Sequence, residues 1–214
     1  MGQENERRRE RIKETLQAIC SDRRTEAQWL NTLSLLEFTG AQKISKTVAS
    51  SHPDRAVVLD HLADEARHAY AFKRLYEIVT EGIDSGDPGY LCLEAAGRYF
   101  ARLDERATEW MTELAGEQNM EECYLLVTTL VERRAMDMYP LYRAATDIDE
   151  VADELQQIVV EEQDHRVAIE ENCKELLAGY GVDSLDPVDA IEAELFDELW
   201  TAISAEVGVA DQSS

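Results

Sequence analysis

The sequence predicts an all-α protein: a four-helix bundle with an inserted helix and a C-terminal amphipathic helix. Three observations carry that reading. Gly (10) and Pro (4) are scarce in 214 residues while Ala, Leu, Glu and Arg, the strong helix formers, are plentiful. Long stretches carry apolar residues at helical rather than strand spacing. Breaks rich in Gly, Pro, Asp and Ser fall between them.

Each element has its own justification. Within an N-terminal segment of residues 1–24, residues 5–22 read as a solvated charged helix, with Arg7, Arg8, Arg9, Arg11 and Lys13 offset by acids. A first bundle helix runs from about 25 to 50 on the stripe Leu30, Leu33, Glu37, Ala41, Ile44 and Val48. Pro53 suits the first turn of a second helix reaching about Gly82, with Val58, His61, Leu62, Glu65, His68, Ala69, Phe72 and Leu75 inward. Asp87-Pro88 reads as the cap and first position of an inserted helix over 89–116. Asn119-x-x-Glu122 resembles a capping box for the next helix, which runs to about Ala145 with a kink expected at Pro140. Asp149 begins a helix ending near Gly179-Tyr180-Gly181, and Asp186-Pro187 begins the last one, over 187–207, with Ile191, Leu195, Leu199 and Ala202 on one side. The tail after Val209 is expected to fray. One domain is expected over 1–214, its bundle core spanning 25–178.

Net charge is −24 with a pI near 4.4, which disfavours nucleic acid and anionic membranes as partners. No apolar run approaches the roughly 20 residues of a membrane span. The N-terminus lacks the apolar stretch of a signal peptide, and Glu6 breaks the myristoylation pattern. Cys20, Cys92, Cys123 and Cys173 form no Cys-x-x-Cys and fall on helical patterns. Reduced thiols in a cytoplasmic protein are the expectation.

The chemistry lies in two copies of Glu-x-x-His, Glu65-Ala-Arg-His68 and Glu162-Gln-Asp-His165. Residues three apart share a helix face, so each copy offers a carboxylate and an imidazole to one point. Glu37 lies 28 residues before Glu65, and Glu132 lies 30 before Glu162. The midpoints, 51 and 147, both fall in turn-like stretches, so two antiparallel hairpins would bring each upstream Glu level with its motif. All four Glu lie on apolar stripes, where an uncompensated carboxylate costs several kcal/mol. Two divalent ions would cancel the four charges. Glu37, Glu65, His68, Glu132, Glu162 and His165 are therefore the expected metal ligands, a set that belongs to two-metal helix bundles.

Other residues rate lower. His61 is on the same face as His68, where it could support a ligand from behind, but is read as an ordinary hydrogen-bonded core histidine; His52 is read as solvated. Asp64, Glu161 and Asp164 could orient a ligating histidine but are expected to face solvent. Tyr139, Tyr142, Trp29, Trp110 and Trp200 are expected to pack.

Over residues 25–178 the chain resembles the ferritin-like di-iron carboxylate superfamily, on Glu37, Glu65-x-x-His68, Glu132 and Glu162-x-x-His165. Ferritins usually lack the second Glu-x-x-His, so His165 argues against ferritin proper. Bacterioferritins cross directly between the middle helices, whereas 67 residues separate Glu65 from Glu132 here. Rubrerythrins usually carry a Glu where this chain has Ala135. The inserted helix and Leu130-Val131-Glu132 with Tyr139-Pro140 look more like the small di-iron oxygenases, including the aldehyde deformylating group. The resemblance implies two Fe ions, with a Mn/Fe pair as the alternative, and an oxidoreductase that activates O2 for use on a small organic substrate. It also implies an electron donor. Peroxide reduction or ferrous oxidation without an organic substrate is the first rival, and a non-catalytic metal-stabilised bundle the second. A substrate-sized apolar pocket beside the metals would favour the oxygenase. A homodimer through the last or the inserted helix is the simplest assembly.

Overall fold

The computed structural model describes residues 2–50, 56–83 and 86–209, and within them every side chain but those of 2–5, 48–50, 164, 165 and 168. Among the described residues the only regular structure is helix: α1 (Gly2–Cys20), α2 (Arg23–Ser50), α3 (Ala56–Thr80), α4 (Leu93–Ala115), α5 (Met120–Ala145), α6 (Asp149–Gly179) and α7 (Asp186–Glu206). None of these helices is long and apolar enough to cross a membrane. The all-α expectation holds.

α2 packs along α3, and α5 along α6. The pairing of α2 with α3 is antiparallel. Ser34 Oγ donates to Ala69 O at 2.7 Å, and Lys73 Nζ donates to Asn31 Oδ1 at 2.8 Å. A step down α2 is thus matched by a step up α3, and Glu37 comes level with Glu65. On the second pair, Tyr180 Oη donates to Glu122 at 3.0 Å, and further along Glu132 meets Glu162, again antiparallel. The two pairs meet through α2 against α5 and α3 against α6. The two matched-midpoint arguments therefore deliver the register they implied.

The remaining helices cover this core. α4 packs on α7 through Tyr99 against Phe196, with ring centroids 6.1 Å apart, and through the ion pairs of Arg102 with Glu198 and Arg106 with Glu194. Phe196 stacks on Trp200, which meets Trp29 edge-on at 5.9 Å. Trp29 and Trp200 are thus core residues, as expected.

Three local expectations change. α1 is not simply a solvated charged helix: Ile12, Thr15, Leu16 and Ile19 are buried along one face, while Arg8 and Arg11 reach Asp197 on α7, each at 2.8 Å. Arginine carries enough length to frame an apolar face and still end on a carboxylate. Asp87-Pro88 does not start α4. Asp87 instead accepts from Tyr76 Oη and from Gly89 N, and the following segment lies along α2, where Leu91 N donates to Gln28 O and Asn31 Nδ2 to Gly89 O. α4 begins only at Leu93, after Cys92 in the left-handed region at φ 49°. Glu122 does not complete a capping box; Asn119 Oδ1 caps α5, accepting from Glu121 N and Glu122 N, while the Glu122 carboxylate takes Tyr180. α5 continues through Pro140 to Ala145. The expectations for Pro53, His52 and the tail beyond Val209 fall outside the described residues.

Candidate metal centre

Four helices deliver the candidate ligands to the middle of the paired hairpins. Glu65 and His68 come from one face of α3, Glu37 from α2, Glu132 from α5 and Glu162 from α6. Glu65, His68, Glu132 and Glu162 are buried, at 8%, 0%, 2% and 3% exposure, and Glu37 is half-buried where it lines a cavity. The donor atoms form two groups, Glu37 with His68 and Glu162, and His61 with Glu65 and Glu132, each with its atoms within 4.8 Å of one another. Five of the six expected ligands thus converge. The sixth, His165, is on α6 three residues after Glu162, and its side chain is outside the described residues.

The first group is held from outside. His68 Nδ1 lies 2.9 Å from Glu162 Oε1. Its Nε2 lies 3.1 Å from Glu161 Oε2, which also accepts from Arg67 at 2.7 Å. Glu161 therefore does not simply face solvent; it fixes the outer nitrogen of the imidazole, the arrangement that orients a ligating histidine. Asp64 anchors the same Arg67 at 2.7 Å. Tyr139, expected to be a packing residue, donates its hydroxyl to Glu37 Oε1 while its ring packs on Phe72. Tyr142 likewise ends on a buried acid, Glu26, at 3.3 Å.

His61 is a buried, hydrogen-bonded core histidine, as expected, but sequence reading did not place it against two of the acids. Its Nε2 is 3.2 Å from Glu65 Oε1 and 3.0 Å from Glu132 Oε1, and its Nδ1 is 2.7 Å from Tyr124 Oη. The signal was available: His61 is four residues before Glu65, one turn away on the same face. What hid it was the Glu-x-x-His pattern, which has no place for it.

Gly40 is a second missed element. A Cβ there would lie 2.7 Å from Glu65 Oε2, so only glycine lets the carboxylate lie against α2. A helix-interior glycine costs about 1 kcal/mol relative to alanine, a cost that here makes room for a ligand atom.

The buried acids and imidazoles shift one another's proton affinities. Burial raises Glu37, helped by the charges of Glu65 and Glu162, against the Tyr139 hydroxyl. Burial also raises Glu132, to about 9, with Glu162 adding and His61 opposing. Burial alone would raise Glu162 too, but Glu132 and His68 beside it hold it well below the usual carboxylate range. Burial works against the charged form of His61, yet Glu132 and Glu65 lift it to about 12. Burial works against the charged form of His68 too, but Glu162, Glu161 and Glu65 together raise it.

Even so, the centre is not satisfied. Among the described residues, Glu132 Oε1 and Oε2, Glu162 Oε2 and His68 Nδ1 are buried atoms with no aligned hydrogen-bond partner. Such atoms are rare in a folded core and require an account. Carboxylate oxygens and imidazole nitrogens gathered within 4.8 Å of one another are donors that a divalent first-row ion accepts. The residues present fit a metal pair.

A cavity of about 330 Å³ reaches this centre. Its inner end is bounded by Glu37, Glu65, Glu132 and Glu162, and its walls are mainly apolar, with Leu33, Ile44, Phe100, Val127 and Met138 among them. Exposed Gln118 and Met120 also line it, so it opens to the surface. Cys123 is the one cysteine on the wall; among the described residues all four thiols are free.

No protein-family model matches the chain, and neither a curated protein nor a solved structure is significantly similar to it.

Proposed function

We propose that this protein is a di-iron carboxylate oxidoreductase of the ferritin-like kind, using O2 to oxidise a small, largely apolar organic substrate. In this reading α2, α3, α5 and α6 are the four-helix bundle, α4 the inserted helix and α7 the C-terminal amphipathic helix. Glu37, His68 and Glu162 would hold one ion, and Glu65 and Glu132 the other, with His165 as a further ligand. Bound iron would supply the electrons for activating O2, which a carboxylate and imidazole core cannot supply by itself. An electron donor would return the pair to the reduced state.

The observation that carries the oxygenase reading is the cavity. A centre that only reduced peroxide or oxidised ferrous ion needs no apolar chamber, whereas an organic substrate needs one of a few hundred Å³. Its walls would bind the substrate's apolar part and exclude water. Tyr139 would keep Glu37 oriented, and Glu161 with Arg67 would keep His68 oriented. Because the metal-free centre holds protons, loading would release them, and affinity would rise with pH.

The test is iron retained per chain after loading with Fe(II) and desalting. About two irons per chain, lost on Glu65→Ala or His68→Ala, is the expected result, followed by substrate-dependent O2 uptake in a screen of apolar compounds. Many irons per chain would mean a mineral store. Two irons whose oxidation state does not change in air would leave a structural centre. Either result overturns the oxygenase reading.

A further inference from the structure

We propose that His61 is an additional protein ligand of the metal centre, joining Glu65 and Glu132 on the second ion. The proposal rests on the reading that the centre holds metal, and it adds a donor that the paired Glu-x-x-His motifs do not contain.

The spacing His61-x-x-x-Glu65-x-x-His68 puts three side chains on one face of α3, one turn apart. A single helix therefore offers a nitrogen, an oxygen and a nitrogen in succession along the two metal positions. All three are buried, His61 at 4% exposure.

The two imidazoles are built alike. His68 turns Nδ1 toward Glu162 at 2.9 Å and has its Nε2 fixed by Glu161 at 3.1 Å. His61 turns Nε2 toward Glu65 and Glu132, at 3.2 and 3.0 Å, and has its Nδ1 fixed by Tyr124 Oη at 2.7 Å. One ring nitrogen faces the acids and the other is held by an outer partner. That division of labour characterises ligating histidines, because the outer bond sets the tautomer and the ring plane. Tyr124 reaches His61 from α5, two turns before Glu132, so the same helix supplies the carboxylate and the brace.

The competing role is a cationic core histidine that neutralises Glu132. In that role Nε2 would direct its proton to Glu65 Oε1, with which it is hydrogen-bonded at 3.2 Å, and pair with Glu132 through charge alone. Among the described residues both oxygens of Glu132, a residue 2% exposed, lack an aligned donor although Nε2 is only 3.0 Å away. A buried carboxylate oxygen and an imidazole nitrogen 3.0 Å apart are spaced as neighbouring ligands of one ion, with Glu65 Oε1 beside them at 3.2 Å. Oxygen with imidazole donors suits Fe, Mn or Co.

Cobalt(II) is the probe, because its visible absorption and its X-ray absorption report the ligand set without turnover. Wild-type, His61→Ala, His61→Gln and Tyr124→Phe chains are titrated with Co(II), and stoichiometry, affinity and imidazole count are read. The wild type should bind two Co(II). His61→Ala should keep the first and weaken the second at least tenfold, with fewer imidazoles per cobalt and an altered visible band. Tyr124→Phe, which keeps the ligand but frees its ring, should weaken the second ion about tenfold, the lower end of the effect of removing such an outer partner. If His61→Ala does not fold, His61→Gln and Tyr124→Phe carry the same test. Two ions bound with wild-type affinity and spectrum in every variant would overturn the role of His61 and leave the metal centre standing. No Co(II) bound by the wild type would remove the centre itself, and this proposal with it.

Discussion

Two buried acidic clusters lie on α5, and they are built on opposite principles. At the junction of α5 with α7, Glu192 is 5% exposed and fully answered: Arg134 donates to both of its oxygens, at 2.9 and 2.5 Å, and Tyr99 donates to it at 2.8 Å. The guanidinium also lies 3.9 Å from the centre of the Phe196 ring. At the middle of the hairpins, four carboxylates meet two histidines, and Glu132 has neither oxygen aligned with a donor. Burial of acid is common to both. The mismatch between acceptors and aligned donors separates a structural ion pair from a group that could take up a ligand.

The largest effect should come from breaking the matched cluster. Arg134→Ala leaves a buried carboxylate without its counter-charge, which costs about 3–5 kcal/mol. Denaturant unfolding should register that loss while the iron count per chain stays at the wild-type value. A stability equal to wild type would mean that the Glu192 cluster is not matched in the sense claimed.

In the unmatched cluster the corresponding change should have the opposite sign. Glu132 is held at about 9 in the fold, above the ordinary range of a carboxyl near 4.5. A group raised on folding contributes its stability in full below its unfolded value and loses it as the pH rises through its folded value. The metal-free protein should therefore lose stability between about pH 5 and pH 9, by up to about 1.4 kcal/mol per unit from this group. His61, raised to about 12, acts in the same direction. Glu132→Gln has no such proton to lose. Its metal-free unfolding free energy should change less with pH and exceed wild type at pH 8–9, while the second iron is lost. A pH profile as steep as wild type would show that Glu132 is not the titrating group.

How far the sequence announced this difference depends on the residue. The helices, the register of both hairpins and Glu37, Glu65, His68, Glu132 and Glu162 were legible because helical periodicity, caps and midpoints all concern local spacing. Glu26 and Glu192 are buried as deeply as the ligands, but no spacing distinguishes them, because their partners Thr146, Arg134 and Tyr99 come from distant helices. The partner of Glu161 and the second role of the packed Tyr139 escaped the sequence for the same reason: one meets His68 across α3 and α6, the other meets Glu37 across α2 and α5. The start of α4 was missed because a Pro at a helix N-terminus and a Pro in an extended segment look alike until Gln28, Asn31 and Thr32 take the segment's backbone.

The smallest expected change in stability tests whether the site was bought at the expense of the helix that carries it. Gly40 is in the interior of α2, has nothing but Glu65 near its missing Cβ, and costs the helix about 1 kcal/mol relative to alanine. Gly40→Ala returns that increment but pushes Glu65 Oε2 from a contact of 2.7 Å. The displaced atom is the end of a flexible side chain, so the fold yields at little cost. Unfolding free energy should stay at wild type or rise by up to about 1 kcal/mol, while iron affinity falls at least tenfold. A drop in both would make Gly40 an ordinary packing glycine. A rise in stability with unchanged affinity would mean that Glu65 binds metal from another rotamer. A gain in the helix with a loss at the centre would mean that the two clusters on α5 differ because one was shaped for stability and the other for a ligand.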